Sequence, residues 1–275
     1  MTEQATLDEA EAHSHGPTRT FRCVSFAEEM NASRRNTMED AHRIIPNFDG
    51  DPCSSFFAVY DGHGGRGIVD FLESRLDANI ARELKATDDA TILNRLSRAF
   101  LATDVESRQA DLVASGATAV TCLIKEEAGQ TTIYTANVGD SRAVLCREGK
   151  ASRLTYDHKA EDEGEQLRVK EAGGFILRNR VLGVLAVTRA FGDHAMKQFI
   201  ISLPHTSVAG LCASCPFLIM ACDGIWDVFG DQEAVQFVTD ALASSTPEAE
   251  VASKLLREAI ARGSTDNVTV IIVFF

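Results

Sequence analysis

Residues 56–65 read FFAVYDGHGG, and the fold turns on how this stretch is taken. Its opening run is apolar or aromatic and too short to favour a helix, so it predicts a buried strand that stops at Asp61 and delivers a carboxylate to its own end. Gly62, Gly64 and Gly65 then let the backbone turn tightly and approach a ligand, with His63 held among them and a helical pattern starting at once. Asp-Gly is also an ordinary turn pair that occurs three times in this chain, so a strand followed by a turn accounts for the stretch until other residues join it.

The pattern returns at 217–222, where FLIMAC is stopped by Asp223 and Gly224. The chain closes with NVTVIIVFF, and Asp266 stands immediately before it. Taken singly, Asp61, Asp223 and Asp266 are turn or cap residues. Their shared place at the ends of predicted buried strands reverses that reading, because a sheet gathers strand ends from distant parts of a sequence. Carboxylates meeting at one point repel unless a cation sits among them. All-oxygen donors select Mg²⁺ or Mn²⁺ over zinc, which more often recruits Cys and His.

Around these runs, Leu72, Leu76, Ile80 and Leu84, then Ile92, Leu96, Ala99, Phe100 and Thr103, give two helices one apolar face each. From 116 onward the period changes to two, and ATAVTCLI, TTIYTANV and RAVLCR are predicted as consecutive antiparallel strands, the last two joined hairpin-fashion through Gly139 and Asp140. Short strands are predicted over 21–26 and 41–45, and the loop between them holds Arg34, Arg35, Met38, Glu39 and Asp40. A helix over 163–172 ends at Gly173, more strand lies within 175–187, and a loop runs to about Pro216. Helices follow over 232–243 and 247–262, the second capped by Thr246, opened by Pro247 and closed by Gly263. Hairpin-like connections rather than βαβ units make this α+β, with helices packed on antiparallel sheet. One domain over 21–275 follows an acidic tail, 1–20, that is predicted to be disordered and whose His13 and His15 have no further ligands nearby.

A chain of 275 residues, 45% of them hydrophobic, buries a sizeable core. Its 27 Lys and Arg against 40 Asp and Glu give a net charge of −13, which argues against duplex nucleic acid or an anionic membrane as the main partner. The longest apolar runs fall short of the roughly 18–20 residues that span a bilayer. No signal pattern and no Gly at position 2 are present, so cytoplasm or nucleus is expected. Seven scattered cysteines fit a reducing compartment. Cys212 and Cys215 form a lone CxxC, without the second pair that zinc needs or the βαβ setting of a thioredoxin, and read as incidental loop cysteines. GDSR at 139–142 could place a hydrolase nucleophile at Ser141, but no His follows His205 to serve it. Trp226 reads as packing beneath the acidic strand ends, and His158 and Lys159 as structural.

The segments RNTMEDAH (35–42), FAVYDGHGG (57–65), SGATAV (115–120), ANVGDSRAVL (136–145), LTYDHK (154–159), RVLGVLAVTRAFGD (180–193), ACDGIWDV (221–228) and STDNVTVIIV (264–273) stand in an order that resembles the protein phosphatase 2C family, the metal-dependent protein serine/threonine phosphatases. The resemblance covers about 21–275. It implies an αββα sandwich of two antiparallel sheets flanked by helix pairs. It also implies hydrolysis of phosphoserine and phosphothreonine by a water or hydroxide bridging two Mg²⁺ or Mn²⁺ ions, with no phosphoenzyme. In keeping with that, no cysteine is followed by Arg at the offset a tyrosine-phosphatase loop requires.

By the same resemblance Asp61 bridges both ions, Asp223 and Asp266 complete one, and Glu39 and the Gly62 carbonyl serve the other. Asp40 hydrogen-bonds a metal-bound water, Arg35 holds the phosphate, His63 protonates the leaving alkoxide, and Asn267 orders water or phosphate. Asp140 and Asp227, with Asp223, match a weaker third metal site, although a hairpin turn explains Asp140 equally well. The partners implied are phosphoproteins, met by a monomer. Ala160, where many relatives have Pro, and a short 193–216 segment beside the site depart from the pattern and leave substrate choice open. A catalytically silent binding module is the alternative, and it predicts missing ligands where none is missing.

Overall fold

Alternation along the strands sorts the apolar residues into layers. In the computed structural model, which describes residues 20–275, β3 (Ser54–His63) sends Phe56, Ala58 and Tyr60 to one face and Phe57 and Val59 to the other. The first set packs with Leu72, Leu76 and Ile80 of α1 (Gly67–Leu84) and Leu96 and Phe100 of α2 (Ile92–Gln109). The second set meets Leu218 and Met220 of β10 (Phe217–Ala221), a strand of the other sheet. Phe217, Ile219 and Ala221 of β10 face the opposite way, into α5 (Asp231–Ala243) and α6 (Glu248–Ala261).

One sheet runs β1 (Cys23–Glu29), β11 (Val268–Phe274), β10, β6 (Arg142–Arg147), β7 (Lys150–Arg153). The other runs β2 (Asp40–Ile45), β3, β4 (Gly116–Glu127), β5 (Gln130–Val138), β9 (His205–Gly210), with the short β8 (Phe191–Gly192) paired to β4. All these pairs are antiparallel, so two sheets between two helix pairs form the expected αββα sandwich. A small separate core, Val169, Val181, Val187, Ala190 and Ile200, lies under α3 (Glu163–Glu171). Among the described residues no helix is long and apolar enough to cross a membrane.

Several expectations change. β3 does not stop at Asp61 but stays paired with β4 as far as His63, so the turn begins at Gly64. β5 and β6 are not a hairpin: β5 pairs with β4 and β9, whereas β6 pairs with β10 and β7, so Gly139 and Asp140 carry the chain from one sheet to the other. The stretch 175–187 makes only isolated bridges, because positive φ at Arg178, Asn179, Leu182 and Gly183 interrupts extended backbone. β9, expected as loop, is a half-exposed edge strand without a continuous apolar run. Asp223 opens a further short helix, α4 (Asp223–Trp226). Thr246 caps nothing: its Oγ1 meets Lys254 Nζ at 2.6 Å, and Pro247 precedes α6. The acidic tail and its histidines lie outside the described residues, apart from Thr20.

Candidate active site

The inward-facing rows of the sandwich are apolar along their length and polar at one end. On β3 the row Phe57, Val59 continues to Asp61, whose partner across the ladder is Asp40 on β2. On β11 the inward row begins at Thr269, and its hydroxyl donates to Asp40 Oδ2 at 2.7 Å. At this end Asp61, Asp140 and Asp223 each bring a carboxylate oxygen to within 4.8 Å of one another. Asp140 is buried in the crossover between sheets, where β5 and β6 do not pair and no hairpin forms.

This convergence is costly in charge. Burial, then the neighbouring acids, push Asp61 and Asp223 well above the usual carboxylate range. Burial also raises Asp140 against the pull of Lys159, and raises Asp40 to about 7 against its bond from Thr269. Asp266 is raised mainly by burial, despite the Asn267 N–H and Arg35. The nearby cations are few: Lys159 Nζ lies 3.3 Å from both Asp140 and Asp227, and the Arg35 guanidinium pairs with Asp266 while its Nε donates to the Thr265 carbonyl at 3.2 Å. A surplus of buried carboxylates, all oxygen donors, fits a hard divalent cation. Lys159 therefore faces the acids rather than serving only its loop. Asp227, 60% exposed at its side chain, stands at the rim.

The other expected residues are placed as follows. Glu39 accepts at Oε1 from the Thr37 hydroxyl (3.0 Å) and at Oε2 from the Gly65 N–H (3.2 Å). Its own carbonyl accepts from the Gly62 N–H at 3.2 Å. Gly62 has no positive φ; it is glycine because a Cβ there would lie 2.5 Å from that carbonyl oxygen and 2.6 Å from Val69 Cγ2. Asn267, expected beside water or phosphate, gives both amide hydrogens to the carbonyls of Met30 (2.8 Å) and Thr37 (3.0 Å) and accepts the Glu39 N–H (2.8 Å), so it pins the loop that carries Glu39. Trp226 is buried, its indole N–H on the Ala221 carbonyl at 2.9 Å and the Arg142 guanidinium 4.9 Å over its ring.

His63 has a partner that pattern reading missed. Its Nε2 lies 2.8 Å from Asp193 Oδ2, leaving Nδ1 for another group. Asp193 takes a left-handed φ of 48°, and its N–H donates to the Ser115 carbonyl at 3.0 Å. The segment around it is moored to α2, where Asp104 accepts from the Gly192 N–H (2.8 Å) and Lys197 (3.0 Å), and Ser107 meets His194 (2.9 Å). Gly116 lets the pair sit against β4, since a Cβ there would overlap both His63 Nε2 and Asp193 Oδ2. Asp193 closes the RAFGD run, but 130 residues separate it from His63 and no spacing rule connects them.

A family model described as Protein phosphatase 2C matches residues 24–268. The Saccharomyces cerevisiae protein named Protein phosphatase 2C homolog 1 is 40% identical over 268 residues, covering 93% of this chain and 94% of the relative. Its Schizosaccharomyces pombe namesake is 39% identical over 256 residues, 91% of this chain and 72% of that protein. A solved structure described as a C. elegans sex determining protein superposes with a TM-score of 0.82 at 30% identity, over 92% of this chain and 64% of that one. For the fold alone, a phosphatase from Toxoplasma gondii gives a TM-score of 0.80 at 24% identity over 94% of both chains. With a family match that runs from β1 to the start of β11, this chain belongs to the protein phosphatase 2C family and is a protein serine/threonine phosphatase.

Proposed function

We propose that the chain hydrolyses phosphoserine and phosphothreonine in proteins at a two-cation centre, and the observation that carries the proposal is the convergence of Asp61, Asp140 and Asp223. Asp61 would be shared, with Asp223 and Asp266 completing one donor set and Glu39 and the Gly62 carbonyl the other. Asp140 and Asp227, with Asp223, would form a weaker third. Mg²⁺ or Mn²⁺ bound there supplies neutralisation of the phosphoryl oxygens and a lowered pKa for the attacking water.

The chain's own groups do the rest. Arg35, exposed at the rim on Asp266, offers a planar fork of donors to the incoming phosphate. Asp40, held at Oδ2 by the Thr269 hydroxyl, would accept a hydrogen bond from water. His63, tied at Nε2 to Asp193, donates its proton from Nδ1 to the departing serine or threonine oxygen. Asn267 acts by holding the Glu39 loop. The chain's acidity disfavours duplex nucleic acid and anionic membranes as partners, and the substrates proposed are phosphoproteins, met in the cytoplasm or nucleus by a monomer. Purified protein with Mn²⁺ is expected to release phosphate from phosphoserine and phosphothreonine peptides and to stop in EDTA; release that persists in EDTA would sink the reading.

A further inference from the structure

The turn between β9 and β10 lies at the opposite end of β10 from Asp223, and the phosphatase chemistry makes no use of it. It holds Cys212 and Cys215, which the sequence pattern alone leaves as incidental. In the fold, the Cys215 N–H donates to the Cys212 carbonyl at 2.9 Å, closing a four-residue turn that brings its ends together. The two Sγ atoms stand 3.0 Å apart. Neighbours fix the turn on both sides: the Leu211 N–H donates to Thr131 (2.9 Å) and the Glu148 N–H to the Ser214 carbonyl (2.8 Å). Ends of a tight turn fall within the Cα separation that a disulfide spans.

The two thiols are not equivalent. Cys212 is exposed, and Cys215 is only 2% exposed. Cys212 borders a groove of about 430 Å³ together with Arg22, Gln130 and Phe275, so a small peptide disulfide has room to reach it. The Ser214 hydroxyl, 3.1 Å from its sulfur, then Cys215 and the Ser214 N–H, hold the Cys212 thiol below its usual range, and Arg147 adds to this. Burial pushes Cys215 the other way. An exposed, stabilised thiolate beside a shielded thiol is the division of labour of an attacking and a resolving cysteine.

We propose that residues 212–215 form a redox modification site, in which Cys212 attacks a low-molecular-weight disulfide and Cys215 resolves the adduct to leave an intramolecular disulfide across the turn. In the first step the Cys212 thiolate bonds to one sulfur of glutathione disulfide, whose S–S bond breaks and releases one glutathione thiolate. In the second, Cys215 loses its proton and attacks Cys212 Sγ, and the second glutathione leaves. The protein dithiol is oxidised by two electrons, one disulfide is reduced to two thiols, and the protons of the two cysteines end on the two glutathiones. The product ties the edge strand of one sheet to a central strand of the other.

Glutathione disulfide added to the full reduced chain, followed by differential alkylation and peptide mass mapping, tests this. The expected result is a Cys212–Cys215 disulfide, with the remaining cysteines still alkylated. Cys215→Ser and, as a second packing choice, Cys215→Ala should accumulate glutathione on Cys212 at least about tenfold faster than on Cys53. Cys212→Ser should leave Cys215 unmodified. Retained phosphatase activity marks each variant as folded. Adduct forming no faster on Cys212 than on Cys53, or Cys215 reacting in the Cys212→Ser protein, would overturn the proposal, as would wild-type oxidation that leaves 212–215 as free thiols.

Discussion

β3 and β10 begin alike and end differently. Each alternates between a helix-facing row and the shared layer between the sheets, and in each the apolar run leads to an Asp-Gly pair. β3 keeps Asp61 inside the ladder, paired across to Asp40 on one side and Thr118 on the other. β10 ends at Ala221, and Asp223 opens α4, where its carbonyl accepts the Asp227 N–H at 2.8 Å. The glycines differ in the same sense. Gly62 leaves room for the Glu39 carbonyl beside a continuing strand, whereas Gly224 makes room for the Asn267 carbonyl as the chain coils. One acid is therefore held by neighbours on both sides and suits a shared ligand, while the other is held at a single turn and suits a terminal one.

Replacing each acid by its amide breaks or sharpens that difference most. Asp61→Asn is expected to abolish binding of both cations and lower turnover by more than about 100-fold, beyond what loss of an outer hydrogen-bond partner costs. Asp223→Asn should retain one cation, so calorimetric titration with Mn²⁺ should give different stoichiometries for the two proteins. Equal stoichiometries would mean that the contrast between strand-held and turn-held acid has no counterpart in ligation.

The second test lies two residues beyond Asp61, on the part of β3 that has no equivalent in β10. Asp193→Asn keeps the size of the side chain but removes the charge that orients His63 through Nε2. Phosphoserine peptide turnover should fall about 10- to 100-fold, within the range of general-acid effects, while an aryl phosphate, whose leaving group needs no proton, should change little. His63→Ala should show the same split with cation binding intact. Equal losses on both substrates would assign Asp193 a structural role only.

Much of this was legible in the sequence, for a physical reason. The short apolar runs FFAVY and FLIMAC and the helical spacing of Leu72, Leu76 and Ile80 report burial directly, so the strands, the helix faces and an acid close behind each run are legible from them. What failed was pairing and anything decided between distant segments. Composition does not say that RAVLCR leaves its neighbour for the other sheet, since a crossover and a hairpin both begin with Gly-Asp. β9 was invisible because an edge strand with exposed Val208 lacks a buried row. Lys159 reads as structural because nothing in its local pattern shows that the fold sets its ammonium 3.3 Å from Asp140 and Asp227. Asp193 closes the RAFGD run, and its role is invisible there because only the folded chain brings it to His63.

The smallest effect separates the two strands by what their acids share. In cation-free protein the acids of both strand ends are raised by burial and by one another, with Asp40 at about 7 and Asp61 and Asp223 well above the carboxylate range. Between the unfolded value near 3.8 and these raised values the folded chain binds more protons than the unfolded one, so stability falls as pH rises. From about pH 8.5 down to about 7 the melting temperature in EDTA should therefore climb, by about 2–4 °C for each kcal/mol regained. Below about 6.5 the climb should flatten. His158, which burial lowers to about 3, and His194 and His205, which burial also lowers, stay neutral in the fold but take up protons in the unfolded chain. Glu165, held at about 2 by Arg189 and Arg168 against the cost of burial, stays ionised throughout this window and contributes no slope. Mg²⁺ or Mn²⁺ should replace the protons and flatten the rise, and Asp61→Asn or Asp223→Asn should each remove part of it. A cation-free melting temperature that drops between pH 8.5 and 7 would show that these acids do not carry the charge strain that makes the two strand ends a cation site.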